Sequence, residues 1–133
     1  MSCAILAGEH MLEQACGLGP WKVVRTFGGG ADFRYRGTTD TGTVIRYSKD
    51  ELELVLTQAD YLRIWERFRG REVKVGTSQS PPQDSLGAFL IREITHVGAA
   101  SYVGRLLLED GYAWKPRRGW ISFYSERKPN LDK

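Results

Sequence analysis

Hydrophobic positions near the carboxyl end of the chain follow two helical repeats and then two short strands. In residues 86–94 and again in residues 99–110, apolar side chains are three or four positions apart, which predicts two helices. Gly111 follows the second helix as a stop residue. Residues 112–115 and 120–124 are rich in aromatics and flank a turn with Pro116 and Gly119, which predicts a hairpin.

Residues 21–48 show the alternation typical of strands. Three segments, 21–27, 33–36 and 43–48, are rich in aromatic and β-branched residues. The glycine run at 28–30 and the polar stretch 37–42 separate them as turns. The pattern predicts an antiparallel meander of at least three strands.

Residues 51–57 are compatible with two structures. Ser48 and Glu51 have the spacing of a capping box, which favours a helix. The apolar side chains at 52, 54 and 56 alternate with their neighbours, which favours a strand. We predict a strand, because Thr57 and Asp60 provide a start signal for a separate helix near 58–69. That helix carries Tyr61 and other apolar residues on one stripe and ends at Gly70, and residues 71–75 predict a further strand.

These elements define an α+β fold with a possible division into two lobes. Residues 77–84 are polar and contain two prolines, so they are the candidate linker. Residues 1–76 then form a mainly antiparallel β lobe, with a further short helix at 4–16. Residues 85–133 form a helical lobe with a hairpin and a tail. The whole chain, at 133 residues, is also the size of one compact domain.

The distribution of charge is more informative than its total. The net charge is only +3, but residues 63–74 and 115–128 are strongly basic. Arginine outnumbers lysine by 13 to 6. Because its planar guanidinium binds phosphate and carboxylate in a bidentate manner, this composition suits an anionic partner. Alternating acidic and basic segments are also typical of an ordinary solvated surface or of a homodimer.

Other features of the composition predict a cytoplasmic protein without cofactor or metal. Cys3 and Cys16 lack metal-site spacing relative to His10 and His96, so we expect reduced thiols. The first residues lack the basic and apolar regions of a signal peptide. No apolar run is long enough to span a membrane.

Residues 85–124 resemble the winged helix-turn-helix family in element order, helix length and the basic hairpin tip. Proteins of this family generally bind DNA with the second helix in the major groove and the wing on phosphates. The resemblance implies that Ser101 and Arg105 face the groove and that Lys115, Arg117 and Arg118 contact the backbone. Because the second helix offers a single arginine, phosphate contacts are a better expectation than base recognition.

The preceding helix adds a second candidate basic surface. Arg63 and Arg67 are four residues apart on the face opposite the apolar stripe, and Arg71 follows in the next strand together with Lys74. This cluster is arranged to follow a phosphate backbone. The alternative is a solvated face with local ion pairs.

Aromatic residues on the hairpin support two further interpretations. With Ile121 and Phe123 facing the core, Trp120, Ser122 and Tyr124 face outward. Exposed Trp114, Trp120 and Tyr124 beside arginines can stack on single-stranded bases, or bind a protein partner or a second copy of the chain.

A nuclease interpretation depends on Glu72 and Lys74. An acid and a lysine two residues apart on a strand point to the same face, and some Mg²⁺-dependent nucleases use that pair with an upstream aspartate. The main prediction is nevertheless a small, non-enzymatic nucleic-acid-binding protein, with DNA as the expected partner. A protein-interaction module or homodimer is the first alternative, and the nuclease is the second.

Overall fold

The first half of the computed structural model, which describes residues 18–78 and 80–126, is an antiparallel meander. Strands β1 (Lys22–Arg25), β2 (Asp32–Thr38), β3 (Gly42–Tyr47) and β4 (Leu52–Leu56) lie side by side in chain order. Each strand pairs with the next one along the chain. The predicted meander is confirmed. The helix predicted at 4–16, both cysteines, His10, Arg127 and Lys128 lie outside the described residues.

The choice of a strand at 51–57 is also confirmed. Ser48 and Glu51 do not start a helix; both have positive φ, 66° and 53°, and form the turn before β4. The Glu51 amide donates to the Ser48 carbonyl at 3.1 Å. The apolar alternation of β4 therefore decides the structure of this segment, as period-two patterning requires.

One face of the meander carries part of the hydrophobic core. Phe33 and Tyr35 from β2, Ile45 from β3 and Leu56 from β4 are almost fully buried. Helix α1 (Gln58–Phe68) packs beside β3 and β4 and buries Tyr61, Ile64 and Phe68, as its apolar stripe predicts. The predicted cap at Thr57 and Asp60 is confirmed, and it is a full capping box in which the two residues exchange side-chain and backbone hydrogen bonds.

A second, smaller sheet joins segments that are far apart in the chain. Strand β5 (Glu72–Lys74) pairs with β7 (Trp120–Phe123), and β7 pairs with β6 (Ala113–Trp114), all antiparallel. The predicted lobes at 1–76 and 85–133 therefore share a sheet. They also meet where the Gly87 amide donates to the Val75 carbonyl at 2.8 Å.

Two helices connect β5 to β6. Helix α2 (Leu86–Glu93) begins at Ser85, whose hydroxyl accepts from the Ala88 amide, and helix α3 (Ala100–Glu109) is followed by Gly111 with φ of 81°. Both predicted helices exist within a residue or two. The hairpin strands are shorter than predicted.

Helix α3 is covered on more than one side, and five of its ten residues are buried. The Phe27 amide, from the β1–β2 turn, donates to the Ser101 carbonyl at 2.9 Å. The Tyr102 ring lies 5.1 Å from the Phe33 ring and 4.8 Å from the Tyr47 ring, measured between centroids. The described structure is thus α+β, with a four-stranded meander, three helices and a small second sheet ending in a hairpin. None of these three described helices has the length and apolar character needed to cross a lipid bilayer.

Candidate nucleic-acid interface

The second sheet has one buried face and one outward face. Val73 lies opposite Ile121, and Ala113 lies opposite Phe123; all four are buried. Because directly opposed residues of antiparallel strands share a face, the alternate residues point the other way. That outward set comprises Glu72 and Lys74 from β5, Trp114 from β6, and Trp120 and Ser122 from β7.

We name the outward surface and its adjoining hairpin tip the aromatic–basic face, defined by Lys74, Trp114, Arg117, Arg118, Trp120 and Tyr124. Two of its rings, Trp114 and Tyr124, lie with centroids 4.6 Å apart. Trp114 remains 42% exposed. Ser122 points outward as predicted but is buried, because Glu72 and Trp114 lie directly on its two sides.

The Trp120 ring contacts two cations of this face. The guanidinium carbon of Arg117 lies 4.4 Å from the centroid of the Trp120 ring, and the Lys74 ammonium lies 5.8 Å from it. Both distances are within the range of a cation–π interaction. Arg117 also forms an ion pair with Glu72 at 2.9 Å, which neutralises the carboxylate of this face.

Arg118 is the most available cation of the hairpin tip. It is exposed, and within residues 18–78 and 80–126 its side chain forms no ion pair or hydrogen bond. Lys115 differs, because its ammonium donates to the Phe27 carbonyl at 3.0 Å and lies 4.9 Å from the Phe27 ring. Lys115 therefore fastens the hairpin to the β1–β2 turn.

The arginines predicted to form a cluster on and after α1 make different contacts in the structure. Arg63 binds the Glu93 carboxylate at 2.7 Å and the Glu93 carbonyl at 3.0 Å, so it joins α1 to α2. Arg67 lies over the Phe68 ring at 5.3 Å, and Arg71 is exposed just before β5. Arg67 and Arg71 are exposed, whereas Arg63 is engaged within the protein.

The two residues expected to face a DNA groove lie elsewhere than the resemblance implies. Ser101 is half-buried under the β1–β2 turn, and Arg105 is half-buried and paired with Glu109 at 2.7 Å. Along α3, whose ten residues are all described, Glu109 is the single exposed position. Helix α3 thus offers little exposed side-chain surface, whereas groove recognition uses an exposed row of side chains.

The acid and lysine of the nuclease hypothesis do share a face, as predicted. Glu72 is engaged with Arg117, and Lys74 lies over Trp120. Among residues 18–78 and 80–126, no three His, Cys, Asp or Glu side chains come together as a metal site would require. Both side chains are therefore engaged with other residues of the aromatic–basic face.

Sequence reasoning missed a second group of arginines on the outer face of the meander. Arg34 lies directly opposite Arg46, and the Trp21 ring lies 4.5 Å from the Arg46 guanidinium carbon and 5.2 Å from that of Arg36. Glu51 and Glu53 pair with Arg34 and Arg46. The alternation of aromatic residues with arginine in β2 is the signal for this group. Because two of the three charges are balanced by carboxylates, it is a weaker anion site than the aromatic–basic face.

Comparison with protein-family models, curated proteins and solved structures finds no match to this chain.

Proposed function

We propose that this protein binds nucleic acid through the aromatic–basic face, contacting phosphates with Lys74, Arg117 and Arg118. The observation that supports this most strongly is the pairing of β5 with β7. It brings two basic segments that are about 45 residues apart in the sequence onto one side of a single sheet. Phosphate contacts of this kind supply most of the sequence-independent affinity for nucleic acid.

The proposed contact surface differs from that of a winged helix. The covered position of α3 leaves the hairpin and its sheet as the surface that meets the nucleic acid. Contacts from sheet residues and a hairpin tip reach the backbone without entering a groove, so we expect little dependence on base sequence. The proposal includes a non-enzymatic role, a cytoplasmic location and DNA as the first partner to test.

The affinity should fall as the salt concentration rises, and the slope of that decline reports the number of phosphate contacts. With about three contacts to a single strand, the logarithm of affinity falls with the logarithm of salt with a slope of about −2, so doubling the salt weakens binding about fourfold. A contact made mainly by aromatic burial lacks this dependence.

The experiment is a titration of a fluorescently labelled oligonucleotide, followed by anisotropy at several salt concentrations. Arg118→Ala should weaken binding and make the slope shallower by about 0.7, the contribution of one phosphate. Lys49→Ala is the matched control, since Lys49 is an exposed cation in the turn before β4 and is not among the residues that define the aromatic–basic face. Equal effects of the two variants, or no binding at low salt, would contradict the proposal.

A protein-interaction module or homodimer is the second candidate, favoured by the 42% exposure of Trp114 beside Tyr124. Exposed tryptophans and tyrosines often contribute most of the binding energy at protein interfaces. Sedimentation of the protein over a range of concentrations tests it. Self-association that Trp114→Ala abolishes, in a protein that does not bind oligonucleotides, would establish this alternative.

A further inference from the structure

We infer that the nucleic acid bound by the aromatic–basic face is single-stranded, with an unstacked base packing on Trp114. The inference rests on the proposed function and names its substrate class. On this face the cations are placed to bind phosphate, and the ring of Trp114 is placed to stack on a base.

Of the two tryptophans of this face, Trp114 remains available to a ligand. Trp120 is in contact with the cations of Lys74 and Arg117, at 5.8 and 4.4 Å from its centroid. Trp114 has a ring neighbour only in Tyr124 among the aromatic contacts of the described residues, and 42% of it is exposed. Trp114 is therefore the position at which an incoming flat group can stack.

Trp114 also lies close to the proposed phosphate-binding cations. Trp114 lies opposite Ser122, and Trp120 is two residues earlier on the same strand and on the same face. Diagonal neighbours of this kind have their backbones about 7–8 Å apart. A base on Trp114 thus places its phosphate within reach of the cations grouped around Trp120.

A single strand and a duplex present their bases differently to such a ring. In a duplex the bases stack on one another and present only their edges in the grooves, so an aromatic ring on a flat sheet has no base face to contact. In a single strand each base has an open face, and stacking on aromatic side chains is tolerant of sequence. An exposed ring beside a row of cations therefore fits a single strand.

The test compares three labelled probes of equal length: a mixed-sequence single strand, its duplex, and an abasic single strand that keeps only sugars and phosphates. We expect the single strand to bind about tenfold more tightly than the abasic strand, the effect of one stacked base. The duplex should bind no more tightly than the abasic strand.

Variants separate stacking from charge. Trp114→Ala should weaken single-strand binding about tenfold, leave abasic binding unchanged and leave the salt slope unchanged. Trp114→Phe, which keeps a ring, should retain most of the affinity. Leu62→Ala is the control, because Leu62 is an apolar residue on α1 that is 55% exposed and is not part of the aromatic–basic face.

Three outcomes would contradict the inference, and the measurements distinguish them from one another. Salt-dependent binding of the duplex that equals or exceeds single-strand binding would overturn the single-strand inference and leave the proposed function standing. A Trp114→Ala loss that appears equally with the abasic strand would show that Trp114 supports the fold of the face rather than a base. Failure of all three probes to bind at low salt would remove both the inference and the proposed function.

Discussion

Lys74 lies directly opposite Trp120 in the antiparallel pairing of β5 with β7, with its ammonium 5.8 Å from the centroid of the indole ring. Arg117 lies against the same ring at 4.4 Å. One tryptophan thus positions a cation from each of the two basic segments of the chain. The proposed phosphate contacts depend on this arrangement.

Reversing the charge of Lys74 should weaken oligonucleotide binding more than neutralising it. In Lys74→Glu a carboxylate replaces the ammonium beside Trp120, which removes one attraction to phosphate and adds one repulsion. We expect a loss of about tenfold or more at low salt that diminishes as salt rises. Lys49→Glu, the same reversal in the turn before β4, should change binding far less. Similar losses in both variants would show that only net charge matters.

The junction between β5 and α2 should be intolerant of a single added methyl group. A Cβ at Gly87 would lie 1.9 Å from the Gly76 carbonyl oxygen, so the helix and the preceding segment must move apart. Gly87→Ala should lower the free energy of unfolding by about 1–3 kcal/mol, against the gain in helix propensity that alanine otherwise brings.

Gly98→Ala is the control for that measurement, because nothing lies within 4 Å of a Cβ at Gly98. Its free energy of unfolding should stay within about 0.5 kcal/mol of the parent protein in a denaturant titration. If Gly87→Ala is equally stable, the contact between the helix start and Gly76 is looser than the structure shows.

Two buried threonines of the meander should respond in opposite ways to the same substitution. The Thr39 hydroxyl has no hydrogen-bond partner among the described residues, whereas the Thr43 hydroxyl pairs with the Tyr61 hydroxyl at 2.7 Å. Both residues are 1% exposed. Thr39→Val should raise the free energy of unfolding by about 1 kcal/mol, and Thr43→Val should lower it by a similar amount or more.

Chemical denaturation of the two variants measures this difference. A cavity of about 90 Å³ lies beside Thr39. Loss of stability in Thr39→Val would mean that the hydroxyl has a partner after all, such as a water molecule in that cavity.

Tyr61 should make the protein less stable in alkali. Burial raises the pKa of Tyr61 well above its ordinary value of 10.0, while the hydrogen bond with Thr43 opposes that shift. Above about pH 10 the unfolded chain loses this proton and the folded protein keeps it, so the unfolded state is favoured as pH rises. The slope from this group approaches about 1.4 kcal/mol per pH unit.

Unfolding free energies measured between pH 9 and pH 11 test this directly. Tyr61→Phe should reduce the decline without abolishing it, because burial also raises the pKa of Tyr35 and Tyr102. A decline of unchanged steepness in Tyr61→Phe would show that Tyr61 is not its source.

Local signals in the sequence account for most of the elements. The cap of α1 at Thr57 and Asp60 depends on residues within one turn of helix, and its apolar stripe depends on residues three or four positions apart. Both features exist in the structure. The alternation in β4 correctly overrode the Ser48–Glu51 helix signal. Such features depend on neighbours in the chain, which sequence patterns report well.

The candidate site depended on contacts that no local pattern encodes. Nothing in the segment around Val73 indicates that it pairs with Ile121, yet this pairing creates the aromatic–basic face. The sequence likewise does not show that α3 is covered by another segment. The β1–β2 turn, which is far away in the chain, contacts the helix through a hydrogen bond between Phe27 and Ser101. Sequence identified the basic and aromatic residues, and only tertiary structure showed which of them share a surface.

The most direct test of the central claim uses the four tryptophans of the chain as reporters, through their indole N–H resonances in NMR spectra. A single-stranded oligonucleotide is added stepwise to labelled protein at low salt. We expect the Trp114 and Trp120 resonances to shift, while that of Trp21, beside the arginines of the meander, stays in place. Trp65 is not a control, because its ring lies 5.1 Å from that of Tyr112, two residues before Trp114. Shifts confined to Trp21, beside the arginines of the meander, or no shift of Trp114 and Trp120 at saturation, would contradict it.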